Sequence, residues 1–265
     1  MNTSPAPHIL AEKSGSTGWI IYNNPVRLNA ITLDMWDAIP GAMAGFDTDP
    51  DIRTIVFRGA GERAFVSGAD ISQFDNAHAG PEAVARYDKA TVDAFEAIAN
   101  AEKPTIAMIQ GFCIGGGLGL ALACDLRIAG QGSQFGIPAA KLGLAYPVIV
   151  TRLLLDLVGP SRAKDILITA RRFDEEEALL MGLINRVEHA ESLLHITENF
   201  CAMIAENAPL TVSAEKKIVN EMMKAPLNFN AAYCEALIAG CYASEDYAEG
   251  RKAFMEKRKA LFKGR

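Results

Sequence analysis

Apolar and polar positions change period several times along the chain, and each change marks an element. Residues 8–13 and 19–23 read as two strands joined by the turn Ser14-Gly15-Ser16-Thr17-Gly18, and Asn23-Asn24-Pro25 ends the pair. Thr32 then caps a helix predicted to run to about residue 46, with Asp34 in its first turn and Leu33, Trp36, Ile39 and Met43 on one apolar face. Residues 51–58 form a strand broken by Gly59-Ala60-Gly61, a small-residue turn follows over 64–71, and 81–101 has the pattern of a long amphipathic helix. The apolar run 104–109 reads as a buried strand, and 118–124 as a buried helix rich in Ala and Leu. Beyond Val148 the pattern is helical: 150–158, 160–169, and 175–181 capped by Asp174 and ended by Gly182. A short strand over 183–187 precedes amphipathic helices broken at Pro209 and Pro226, the last predicted over 244–262.

Strand, helix, strand, glycine turn, helix, strand, glycine turn, helix is the order of an α/β fold. At its centre stands Gln110-Gly111-Phe112-Cys113-Ile114-Gly115-Gly116-Gly117-Leu118-Gly119-Leu120. Glycines ahead of a helix let the backbone approach a ligand and leave first-turn N–H groups free for an anion or a developing oxyanion. The same glycines also serve a tight turn with close helix packing. Leu120 and Leu122 fall where G-x-G-x-x-G needs its last glycine, and no Gly-Lys-Ser/Thr follows, so a nucleotide phosphate is not the favoured guest. If the two glycine turns converge, the amides near Ala69 and Gly116 point at one carbonyl oxygen.

The chain has 265 residues, half of them hydrophobic, which suffices for a sizeable core. A net charge of -6 argues against a nucleic-acid backbone as partner, and Arg251, Lys252, Lys257, Arg258 and Lys259 read as one helix face. The cysteines, Cys113, Cys124, Cys201, Cys234 and Cys241, make no C-x-x-C pair and read as reduced, buried thiols. Met1 to Pro7 lacks the pattern of a secretory signal and no stretch is apolar enough to span a membrane, so a cytoplasmic protein is expected. His8, His78, His189 and His195 show no ligand spacing, and no metal is expected.

Ala64-Phe65-Val66-Ser67-Gly68-Ala69-Asp70-Ile71 resembles an A-F-x-x-G-A-D-[IL] segment, and Gly111-Phe112-Cys113-Ile114-Gly115-Gly116-Gly117 a G-x-x-x-G-G-G segment, of the enoyl-CoA hydratase/isomerase, or crotonase, superfamily. Leu28-Asn29-Ala30, Cys124-Asp125, Phe135-Gly136-Ile137-Pro138, the stretch 178–187 and the ending 249–258 extend the resemblance over nearly the whole chain. It implies a ClpP-like spiral of ββα repeats over residues 1–195 and a helical region over 196–265 that builds homotrimers, or hexamers made of two trimers. The implied ligand is an acyl-CoA thioester, with no cofactor beyond the coenzyme A of the substrate. By position, Ala69 and Gly116 match the two residues whose N–H groups form the oxyanion hole. Asp70, Ile71 and Ser72 match the segment lining the CoA site, Arg27 and Leu28 the strip beside pantetheine and adenine, and Phe254 and Lys257 the contacts to the nucleotide end.

Hydratases of this family carry two glutamates at the positions held here by Gly119 and Ala139, and neither residue moves a proton. The standard hydratase mechanism is therefore not expected. Tyr146 resembles a tyrosine of the methylmalonyl-CoA decarboxylase branch, as does the ending 242–250, although that branch keeps an acid near Gly119. Decarboxylation needs an enolate-stabilising hole and an orienting group rather than a strong base. The competing reading of Tyr146 is a packed ring whose hydroxyl is satisfied by backbone. Ser67 is expected to bond local backbone, Asp75 and His78 to stand on a solvated loop, with a general base as the competing role for either, Asp125 to be hydrogen-bonded structure, and Cys113 to be a core thiol. Three readings remain: an enolate-stabilising acyl-CoA enzyme, an acyl-CoA binder that has lost catalysis, and an unrelated hydrolase.

Overall fold

The computed structural model describes residues 8–70, 80–224 and 228–265. Strands β1 (Ile9–Ser14) and β2 (Thr17–Tyr22) form an antiparallel hairpin with Ser14 opposite Thr17. The turn is thus tighter than the predicted 14–18 loop, because Gly15 takes φ +58° and closes it in two residues. Helix α1 (Leu33–Thr48) starts where predicted, with the Thr32 hydroxyl accepting from Met35 N–H at 3.3 Å. Then come β3 (Thr54–Gly59), β4 (Ala64–Val66), α2 (Pro81–Ala99), β5 (Thr105–Ile109), β6 (Phe112–Ile114), α3 (Gly116–Ala123), β7 (Leu126–Gly130) and β8 (Gln134–Gly136). The later part holds α4 (Val148–Thr169), β9 (Arg172–Asp174), α5 (Glu175–Leu180), β10 (Arg186–Glu188), α6 (Leu193–Ala205), α7 (Pro209–Met222), α8 (Ala231–Ala243) and α9 (Glu245–Glu256).

Two sheets result. One has the order β1-β2-β3-β5-β7-β10, all parallel after the hairpin, and the other the order β4-β6-β8-β9. Each repeat lays a long strand in the first sheet and a short one in the second: β3 then β4, β5 then β6, β7 then β8. Residues alternate in the long strands as the pleat requires. Ile20 and Tyr22 face the main core with Trp36, Phe57, Phe65, Phe95 and Phe135, whereas Trp19 and Ile21 face the opposite side and pack with Leu193 and Cys201 of α6.

Several predicted boundaries move. The turn over 64–71 opens as strand β4, and the glycine stretch contains strand β6, so β5 does not run straight into the helix. A three-residue strand shows no alternation, and glycine masks the rest. Helices 150–158 and 160–169 join as α4 across a kink at Gly159, with φ 74° and ψ 169°. Pro209 opens a helix at its first turn, where its missing N–H costs nothing; Pro226 lies outside the described residues. The final helix stops at Glu256 rather than 262, because Lys257 turns left-handed (φ 53°) and the tail folds back. The Asp246 carboxylate accepts from Lys263 N–H at 2.6 Å and Gly264 N–H at 2.7 Å, while Glu249 accepts from Leu261 N–H at 2.9 Å and pairs with Arg258. Lys257, Arg258 and Lys259 therefore lie off the helix face assigned to them. Asp125 is structural as expected: it accepts from Thr105 N–H at 2.7 Å and Oγ1 at 3.0 Å, and pairs with Lys216 at 2.8 Å.

Candidate active site

Two turns at the ends of neighbouring short strands build the site. Strands β4 and β6 run parallel with Val66 beside Cys113, so the chain leaves both at the same end. A Cβ on Gly117 would lie 2.3 Å from the Val66 carbonyl oxygen. Only glycine lets the start of α3 come this close to the β4 exit. Gly115 takes φ +54° and anchors the turn by donating to the Gly136 carbonyl at 2.8 Å.

The orientation of Ala69 follows from its pairing. Ile31 and Ala69 form an isolated parallel bridge in which Ile31 N–H donates to Gly68 O and Asp70 N–H donates to Ile31 O, each at 2.8 Å. In such a bridge the flanking residues hold the partner, and the central residue directs its own N–H to the opposite side. Gly116, the first residue of α3, has no acceptor four residues back. Both residues line one cavity of about 230 Å³.

Around these amides the walls are mostly aromatic. Trp36 of α1 stacks edge-on to Phe95 of α2 at 5.2 Å between centroids, and its indole N–H donates to the Tyr87 hydroxyl at 3.2 Å. A Cβ on Gly116 would meet the same indole at 3.0 Å. Tyr146 lies on the loop before α4, its ring packed against the main core and lining the cavity. Its hydroxyl is shut off from solvent and has no hydrogen-bond partner among the described residues, contrary to the expected backbone partner. Burial pushes this phenol far above the usual tyrosine range and raises that of Tyr87, where the Trp36 N–H partly offsets the effect.

Other predicted residues separate into groups. Arg27 Nη1 reaches both carboxylate oxygens of Asp70 at 2.8 and 3.1 Å; the Asp70 side chain is 9% exposed and that of Arg27 54%. Leu28 and Asn29 take φ 53° and 55°, and the Asn29 amide fixes this corner by donating to the Ala60 and Ala64 carbonyls at 3.0 and 2.7 Å. Arg27, Leu28 and Asp70 thus cluster beside Ala69. Phe254 stands 83% exposed in a separate groove against α7 and α8, and neither it nor Lys257, the cap of α9, lines the cavity. Ile71, Ser72, Asp75 and His78 lie outside the described residues. The Ser67 hydroxyl approaches the Arg27 carbonyl at 3.4 Å, and Cys113 is a buried thiol whose ionisation burial opposes. Among the described residues no group of three His, Cys, Asp or Glu side chains is placed to hold a metal ion, and no helix is long and apolar enough to cross a membrane.

The sequence model of the family "Enoyl-CoA hydratase/isomerase" matches residues 12–265. The chain belongs to the enoyl-CoA hydratase/isomerase family. A short-chain-enoyl-CoA hydratase of Clostridium acetobutylicum is 32% identical over 254 residues, which is 95% of this chain and 96% of that protein. A crotonyl-CoA hydratase of Syntrophomonas wolfei is 35% identical over 256 residues, 96% of this chain and 97% of that one. Among solved structures, an enoyl-CoA hydratase/isomerase family protein from Hyphomonas neptunium superposes with a TM-score of 0.94 at 38% identity, covering 99% of this chain and all (100%) of that one. The crotonase fold expected from the motifs is therefore the fold of this family member.

Within it, the two positions matched to hydratase glutamates are filled apolarly. Ala139 lines the cavity, and a Cβ on Gly119 would lie 2.8 Å from Phe95 Cζ, so the phenyl ring occupies the space a larger residue needs. One carboxylate that the sequence reading passed over, Asp88 of α2, does line the cavity, with Thr91 a turn further on. Periodicity did not mark it, because Asp88 is an exposed residue beside the buried stripe of Thr91, Ala94, Phe95 and Ile98.

Proposed function

We propose that this protein acts on an acyl-CoA thioester by stabilising its enolate, with the amides of Ala69 and Gly116 as the oxyanion hole. What supports the reading is that Ala69, whose N–H turns away from the Ile31 bridge, and Gly116, at the start of α3, line the same cavity. One such donor aimed at developing charge contributes roughly 3 kcal/mol to the transition state. The hydratases of Clostridium and Syntrophomonas support the thioester as substrate class by their names. Arg27, Leu28 and Asp70, with Ile71 and Ser72, would hold the CoA moiety. Phe254 and Lys257 would reach its nucleotide end from a neighbouring subunit of a trimer or hexamer, which assigns residues 196–265 to assembly and 1–195 to chemistry.

Paired-glutamate hydration is not the route we assign, since Gly119 and Ala139 supply neither acid nor base. A second reading, decarboxylation of a carboxylated acyl-CoA, is favoured by Tyr146: its unpartnered hydroxyl at the cavity wall is a donor waiting for an acceptor such as a carboxylate. Incubation of the pure protein with crotonyl-, 3-hydroxybutyryl- and methylmalonyl-CoA, with products followed by mass, tests both. Turnover of a thioester is expected. Loss of carbon dioxide from methylmalonyl-CoA that Tyr146→Phe abolishes would select the decarboxylase reading, and tight binding without turnover of any ester would leave an inactive binder.

A further inference from the structure

The cavity lined by Ala69 and Gly116 is poor in groups that move protons. Burial holds the Tyr87 and Tyr146 phenols protonated, the Thr91 hydroxyl donates to the Tyr87 carbonyl at 2.8 Å, and residues 119 and 139 carry no functional group. One carboxylate remains on the described wall, that of Asp88. The charges around it on α2 are engaged elsewhere: Arg86 pairs with Asp37 and Lys89 with Asp93, both at 2.5 Å. Asp88 itself has no ion pair among the described residues, and it touches solvent as well as the cavity. The buried stripe of α2 runs through Ala90, Thr91, Ala94, Phe95 and Ile98, and Asp88 is an exposed residue beside that stripe whose side of the helix still lines the cavity.

We propose that Asp88 is the proton-transfer residue of this site, a reading that rests on the acyl-CoA assignment above. Its carboxylate takes the proton from the α-carbon of the bound thioester. The C–H electron pair becomes the enolate double bond as the carbonyl pair moves onto oxygen, where the two amides hold it. Asp88, now a carboxylic acid, returns the proton to the same carbon, or in an unsaturated ester to the γ-carbon, which moves the double bond. No other reactant is consumed.

The test follows deuterium entry at the α-carbon of butyryl-CoA in heavy water, with binding of the same ester measured by calorimetry. Asp88→Asn should slow exchange at least about 100-fold while the dissociation constant stays within about threefold, the signature of a lost general base. Asp88→Glu, which keeps the carboxylate on a longer stem, should retain part of the exchange. Exchange by Asp88→Asn at close to the wild-type rate overturns the proposal, as does a wild type that binds the ester without exchanging it. A wild type that does not bind butyryl-CoA at all removes the acyl-CoA reading, and this one with it.

Discussion

Tyr146 carries a phenol to the cavity wall and leaves its hydroxyl unpaired, a state that costs about 1–3 kcal/mol relative to a satisfied group. Tyr146→Phe removes that cost. We expect the variant to melt no lower than wild type, with a gain of up to about 1 kcal/mol, while turnover falls if the hydroxyl meets the substrate. Melting and rates measured on one preparation separate the two roles, since a hydroxyl that only packs would leave the rate unchanged. At Gly119 the constraint is steric. Gly119→Glu drives a side chain into Phe95 and should destabilise the protein by roughly 1–3 kcal/mol, as overpacking does, without creating hydratase activity; thermal unfolding and a crotonyl-CoA assay check this. Residue-level legibility was uneven for a physical reason. That the turns carrying Ala69 and Gly116 would come together was readable because glycine neighbours announce a special backbone. Asp88 was hidden because its importance depends on which way α2 faces. The unpaired state of Tyr146 depends on neighbours distant in sequence.

At the scale of elements, the long strands and helices followed from periodicity: Thr32 and Asp174 cap the helices assigned to them, and β5 is apolar at every position but its first. The short strands β4, β6 and β8 did not, because three residues cannot display a period and their partners come from other repeats. The C-terminal tail is the other departure. Residues 258–265 turn back along α9 because Asp246 and Glu249 capture their amides and Arg258. Arg258 and the Leu261 N–H hold the Glu249 carboxyl at a pKa of about 2, against 4.5 for a free side chain. A depressed folded-state value means that this attachment is present above pH 4.5 and is lost as pH falls from there toward 2. Glu249→Gln should therefore loosen the tail at neutral pH, and faster amide exchange over residues 258–265, with α2 and β5 unchanged, would be the result; equal protection in both proteins would show that Asp246 alone suffices.

For the whole molecule, the spiral accomplishes one thing that matters for chemistry: it brings two turns, some forty-five residues apart in the chain, onto one cavity. The fold class was legible because the motifs are local and ordered, whereas their convergence is a product of the parallel register between β4 and β6. The helical end supplies a different surface. Phe254, Met255 and Tyr242 are all strongly exposed, which fits the proposed subunit contacts; sedimentation should give a mass in multiples of three chains, and Phe254→Asp should shift it downward. The measurement closest to the central claim is the ultraviolet spectrum of acetoacetyl-CoA on mixing with the protein, since this thioester enolises readily and its enolate absorbs distinctly. The wild type should draw out the enolate band, and Gly116→Pro, which deletes one donor at the first helical position, should abolish it, whereas Gly116→Ala, which puts the same Cβ 3.0 Å from the Trp36 indole but keeps the N–H, should retain it. An ester that binds wild type tightly and keeps the spectrum of its neutral form would contradict the oxyanion hole at Ala69 and Gly116.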